Sequence, residues 1–94
     1  MDREAEHEIV RIVGEAVANA CKHANASRVS VAISSEEGRV IIRIVDDGEG
    51  FDVGAPRSRR GFGLASMTER TRSLGGRLHL ESTPGAGTVI EVAI

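Results

Sequence analysis

Apolar residues recur at intervals of three and four from Glu4 to Ala24, at Ile9, Val13, Ala16, Val17, Ala20 and Ala24. That period predicts an amphipathic helix. At about 100° per residue, Glu15, Asn19 and Lys22 fall within an arc of roughly 60° on the side opposite those positions, forming a polar stripe. The period then changes to two. Val29, Val31 and Ile33 alternate through Arg28 to Ser34, Glu36-Glu37-Gly38-Arg39 supplies a turn, and Val40 to Val45 runs apolar, which together predict a β-hairpin that ends at Asp46. Asp52 to Arg60 has no apolar period and reads as a basic loop carrying Arg57, Arg59 and Arg60. Gly61-Phe62-Gly63-Leu64 opens a second helix, with Leu64, Met67, Thr71 and Leu74 at helical spacing and Gly75-Gly76 as its stop. Leu78 and Leu80 alternate in Arg77 to Ser82, Pro84-Gly85-Ala86-Gly87 turns, and Thr88 to Ile94 makes a last strand. The order α-β-β-α-β-β predicts an α+β two-layer sandwich, its mostly antiparallel, mixed sheet covered on one face by helices.

Composition narrows the function. Residues 1–94 are enough for one domain and 40% of them are apolar, so a core is expected. A formal charge of −2 and only two aromatic residues, Phe51 and Phe62, argue against a nucleic-acid partner, which needs a basic stripe or a stacking platform. The single Cys21 cannot form an internal disulfide, and no apolar run approaches the roughly 20 residues of a membrane span. A cytoplasmic domain without membrane contact is the expectation. Asn25-Ala26-Ser27 matches a glycosylation sequon, but in such a chain it reads as the end of the first helix.

Three stretches carry possible chemistry. In Asp46-x-Gly48-x-Gly50 a carboxylate meets two glycines at the end of a strand, a pattern in which the carboxylate can accept from an amino group while a ligand lies against bare backbone. A plain turn uses the same residues. On the helix stripe, Glu15 and Asn19 offer the hard oxygens that Mg²⁺ prefers, and Lys22 offers a point charge for phosphate. Gly61 and Gly63, just before a helix, would turn backbone N–H groups toward an anion. Other glycine motifs do not fit: there is no P-loop, and Gly61-x-Gly63 continues to Ser66, where a dinucleotide fingerprint requires Gly or Ala. No Cys/His set has metal-ligand spacing, and His7 and His79 read as surface or packing residues.

With these pieces in order, the chain resembles the GHKL (Bergerat-fold) ATPases. Residues 11–24, R-I-V-G-E-A-V-A-N-A-C-K-H-A, are similar to that family's asparagine box; V-D-D-G-E-G-F at 45–51 resembles its first glycine box, G-F-G-L at 61–64 its second, and Gly87-Thr88 its terminal Gly-Thr. The run G-F-G-L-A-S-M-T-E-R-T-R-S-L-G-G and the short lid look like the catalytic ATP-binding domain of sensor histidine kinases of the NarL/DesK/DegS type.

The resemblance implies ATP and Mg²⁺ as ligands. It assigns Mg²⁺ to Asn19, with Glu15 organising the ion and its water, and phosphate to Lys22, with His23 near it. It gives the adenine amino group to Asp46, with Thr88 nearby through a shared water, and the base pocket to Gly48 and Gly50. Gly61, Gly63 and Leu64 would meet the phosphates, with Arg57, Arg59 and Arg60 on the lid. The expected activity is transfer of the γ-phosphate to a histidine on dimerisation and phosphoacceptor helices upstream of this domain, and from there indirectly to a response regulator. The domain then reads as excised from a longer kinase whose parent can be membrane-anchored, and as monomeric by itself. An anti-sigma-factor-type serine kinase on the same fold, or a non-catalytic nucleotide-binding module, are the alternative readings.

Overall fold

The computed structural model describes residues 3–22, 25–50 and 64–94. Six elements follow in the expected order: α1 (Arg3–Lys22), β1 (Val29–Glu36), β2 (Arg39–Asp46), α2 (Leu64–Ser73), β3 (Arg77–Ser82) and β4 (Thr88–Ala93). The strands form one sheet in the order β1-β2-β4-β3, and every described pairing is antiparallel, so the parallel pair that a mixed sheet would contain is not among them.

Local chemistry accounts for the breaks between elements. The β1–β2 hairpin turns on Glu37 and Gly38, both with positive φ, as a two-residue loop matched to strand twist requires. Asn25 is left-handed after α1, and the Ala26 N–H reaches back to the Ala20 carbonyl, in keeping with Asn25 as a helix end. At the end of α2, Gly76 N–H bonds to Thr71 O and Gly75 N–H to Arg72 O, with Gly75 at φ 74°; this is the double bond of a Schellman cap. The Gly75-Gly76 stop acts as predicted.

Cross-strand register sorts the inner face of the sheet into rows. Ile33, Ile42, Val92 and Leu78 make one row, and Val31, Ile44, Ile90 and Leu80 make the next. Onto these pack Ile12 and Ala16 of α1 and Met67 of α2, with Ile12, Ile42, Met67 and Val92 all fully buried. Burying each such side chain contributes about 1.5–3 kcal/mol. Arg70 of α2 and Glu8 of α1 tie the two helices by a half-buried ion pair at 2.9 Å. The row logic stops at the edge: Val31 and Ile33 share the inner face, yet they are 44% and 67% exposed.

Two expectations about α1 shift. Its buried line runs through Ala5, Ile12, Ala16 and Ala20, whereas Ile9, Val13 and Val17 of the predicted face are only half-buried. Asn19 projects about 20° from Ile12 around the helix, so the polar stripe borders the buried face and does not oppose it. Asn19 is accordingly half-buried and Glu15 exposed.

Candidate functional site

A third row continues the inner face beyond the two apolar ones, and its composition changes. It reads Val29, Asp46, Thr88, Ser82: in the central and β3 positions, where the core rows carry Ile, Val and Leu, this row carries a carboxylate and two hydroxyls. The sheet that builds the core thereby delivers three polar side chains side by side. Thr88 is buried, with 7% of its surface exposed, and Asp46 and Ser82 are half-buried.

Short bonds fix the row. One carboxylate oxygen of Asp46 accepts from the Gly48 N–H at 2.9 Å, two residues on, which turns the chain out of β2. Ser82 Oγ donates to the Gly87 carbonyl at 3.1 Å and lies 2.8 Å from Thr88 Oγ1. Asp46 and Thr88 are opposed residues on the two central strands, so the sheet register itself brings these two predicted residues together.

Two glycines beside the row let the flanking loops approach closely. Gly50 has φ 66°, and a Cβ there would collide with the Thr83 carbonyl and press on that of Gly87. Gly87 has φ 78°, and a Cβ there would collide with the Asp46 carbonyl. The bare backbone of Gly50 therefore faces the 83–87 turn, and the two loops that flank the row approach backbone to backbone. The Gly85 N–H also donates to the Glu49 carbonyl across the same seam. Gly85-x-Gly87 is thus both a strand connection and half of this seam.

Sequence reasoning passed over Asp47. Its Oδ1 accepts from the backbone N–H groups of Ser27 and Arg28 at 2.8 and 2.9 Å, and its own N–H donates to the Arg28 carbonyl. The Arg28 N–H, above all, holds the carboxyl below the usual carboxylate range against an opposing effect of burial, and the Ser27 N–H lowers it further. Asp47 fastens the segment leaving α1 to the end of β2, so the end of α1 that bears Asn19 lies at the same end of the sandwich as Asp46. Ser82 was also passed over; its only sequence signal is that it keeps the alternation of Leu78 and Leu80 one step further.

Several predicted positions fall outside the described residues: His23, Arg57, Arg59, Arg60, Gly61 and Gly63, together with the side chains of Lys22 and Leu64. Among the described residues no group of three His, Cys, Asp or Glu is arranged to hold a metal, and no helix is long and apolar enough to cross a membrane.

The fold is that of histidine kinase ATP-binding domains. The histidine kinase domain of a blue-light activated histidine kinase from Erythrobacter litoralis superposes with a TM-score of 0.81 at 26% identity, over 97% of this chain and 44% of that one. The ATP binding domain of PrrB from Mycobacterium tuberculosis superposes with a TM-score of 0.76 at 30% identity, over 90% of this chain and 64% of that one. The chain belongs to the family of histidine kinase-, DNA gyrase B- and HSP90-like ATPases, whose model matches residues 4–94. Similar sequences include the sensor histidine kinase YdfH of Bacillus subtilis, 39% identical over 85 residues, and the sensor protein VraS of Staphylococcus epidermidis, 37% identical over 87. These alignments take in 88% and 93% of this chain but only 21% and 25% of the relatives, so the chain spans about a quarter of their length or less.

Proposed function

We propose that this domain binds Mg·ATP and offers the γ-phosphate to a histidine carried by another part of a sensor kinase. The observation that carries the reading is the polar row at the end of the inner face. A half-buried carboxylate, Asp46, sits in register with the buried Thr88 hydroxyl, in a chain whose family is one of ATPases. Two acceptors in a row suit an exocyclic amino group, the feature that marks adenine.

Asp46 would hold the base by accepting from that amino group, and Thr88 would do so through a shared water. Asn19 and Glu15, on the end of α1 nearest the row, offer oxygen donors, and an ion held by so few protein groups takes its remaining ligands from phosphate and water, as Mg²⁺ does. When bound, that ion neutralises charge on the phosphates. Lys22, His23, Arg60, Gly61, Gly63 and Leu64 are the further positions proposed to meet the phosphates. Phosphoryl transfer needs chiefly positioning and charge neutralisation, so the role of these side chains and backbone N–H groups is to orient and not to form bonds. The upstream phosphoacceptor helices, a response regulator beyond them and a cytoplasmic location belong to the same reading.

Isothermal calorimetry with Mg·ATP tests it. The wild-type domain is expected to bind, and Asp46→Asn, which puts an NH₂ where an acceptor stood, is expected to weaken binding at least tenfold, the worth of one charge-assisted hydrogen bond of about 1.5–3 kcal/mol. No heat with the wild type, or equal affinity in Asp46→Asn, overturns the reading. Incubation with labelled ATP and a supplied phosphoacceptor domain should give an acid-labile product; an acid-stable one would indicate a serine acceptor.

A further inference from the structure

We propose that the free edge of β3 pairs with itself: a second copy of this chain docks there as an antiparallel strand centred on His79, joining two four-stranded sheets into one. This inference does not depend on the reading of the polar row.

The hydrogen bonds inside the sheet decide which groups face outward. Val40 and Ile94 exchange both backbone bonds at 2.9 Å, so every second residue of β4 counted back from Ile94 bonds to β2, and Ala93, Glu91 and Val89 bond to β3. Their partners Arg77, His79 and Glu81 therefore use their N–H and C=O groups within the sheet, and Leu78 and Leu80 turn theirs to the edge. That edge is the end of the strand order β1-β2-β4-β3. An open hollow of about 300 Å³, lined by Thr68, Arg72, Gly76, Arg77 and Leu78, lies between α2 and the start of the strand. Outward-facing backbone groups on such an edge are a template for another strand.

Side chains choose the occupant and the register. Arg77, His79 and Glu81 are exposed on one face of the strand, and Leu78 and Leu80 are half-buried on the other. With a second β3 antiparallel and His79 opposite His79, Leu78 of each copy faces Leu80 of the other, and these pairs exchange backbone bonds on both sides of the axis. Arg77 of each copy then stands opposite Glu81 of the other, in the closely spaced positions where opposite charges attract. Arg77 is in no ion pair among the described residues, and Glu81, which meets His79 at 3.0 Å through Oε1, has its second oxygen for a guanidinium. The neighbouring registers set Arg77 against His79 or Thr83 and lose that match. The other edge strand, β1, has Glu36 as its single charge and so nothing to fix a register. A contact through one short strand is well under the roughly 1,000 Å² of a lasting interface, so free domains pair transiently and tethered copies pair more fully.

Disulfide trapping tests the register. Residues opposed in these closely spaced positions have Cα atoms about 4.5 Å apart, within reach of a disulfide. In a Cys21→Ser background, which removes the exposed native thiol, His79→Cys is expected to cross-link to a second copy under mild oxidation. The same change at exposed Glu6 of α1, Glu6→Cys, measures random collision and should link at least about tenfold more slowly. Adding Arg77→Glu to His79→Cys sets like charges opposite each other and should slow linking about tenfold; adding Glu81→Arg as well should restore it. Sedimentation equilibrium of the unaltered chain at millimolar concentration should show reversible dimers that Arg77→Glu removes. Linking by His79→Cys no faster than by Glu6→Cys, a rate that Arg77→Glu leaves unchanged or Glu81→Arg fails to restore, or an unaltered chain that stays monomeric at millimolar concentration overturns the proposal.

Discussion

Two parts of one sheet face differ only in side-chain type. On the central strands and β3 the rows through Ile42 and Ile44 pack against the helices, whereas the next row, through Asp46, has the same strand neighbours but carries oxygen atoms. One backbone template thus serves both the core and the row proposed for recognition. The side chains alone decide which.

The largest effect should come from the apolar rows. Ile42 is fully buried between Ile33 and Val92 in its row, so Ile42→Ala is expected to lower the unfolding free energy by about 2–5 kcal/mol, read as a fall in the urea midpoint at unchanged slope. A loss below 1 kcal/mol would mean that this row does not anchor the core. Gly87→Ala stands between the two regions, since its methyl group would collide with the Asp46 carbonyl from a left-handed backbone. It should cost about 1–3 kcal/mol and weaken ATP binding together, whereas a loss of binding at full stability would separate the seam from the fold.

Asp47 supplies the smallest effect and the sharpest contrast with its neighbour. Its pKa is lowered in the folded protein, so its contribution is fully present above the unfolded value of about 3.9 and is lost as the pH falls through the lower, folded one. Urea midpoints measured from pH 7 down to pH 2 should fall less steeply in Asp47→Asn than in the wild type, with ATP affinity at pH 7 kept within a few fold. Parallel acid profiles would show that the bonds to Ser27 and Arg28 hold nothing in place.

Period and punctuation made most of the fold legible. The helix and strand order, the Glu37-Gly38 turn and the Gly75-Gly76 cap are local events, encoded within a few residues. The line of contact on α1 was harder to read: Ala16 and Ala20 belong to the predicted pattern, but the larger Ile9, Val13 and Val17 beside them drew that pattern off the buried line, so that Ile12 and Ala5 were missed. Alternation in β1 identified the inner face but not its coverage, which depends on where the helices end across the sheet. Asp46 and Thr88 were found by motif, and the register explains why the two motifs belong together. Asp47 and Ser82 act through partners 20 and 6 residues away that only the folded chain brings near, and apart from the alternation that Ser82 continues no local pattern marks them.

The Asp46–Thr88 pairing also works as a gauge. Neighbouring strands stand about 4.7–4.9 Å apart whatever their loops do. The interval between the two backbones that carry these oxygens is therefore set by the same hydrogen bonds that build the sheet. Loops at either end can lengthen or change composition over evolutionary time while that interval stays calibrated.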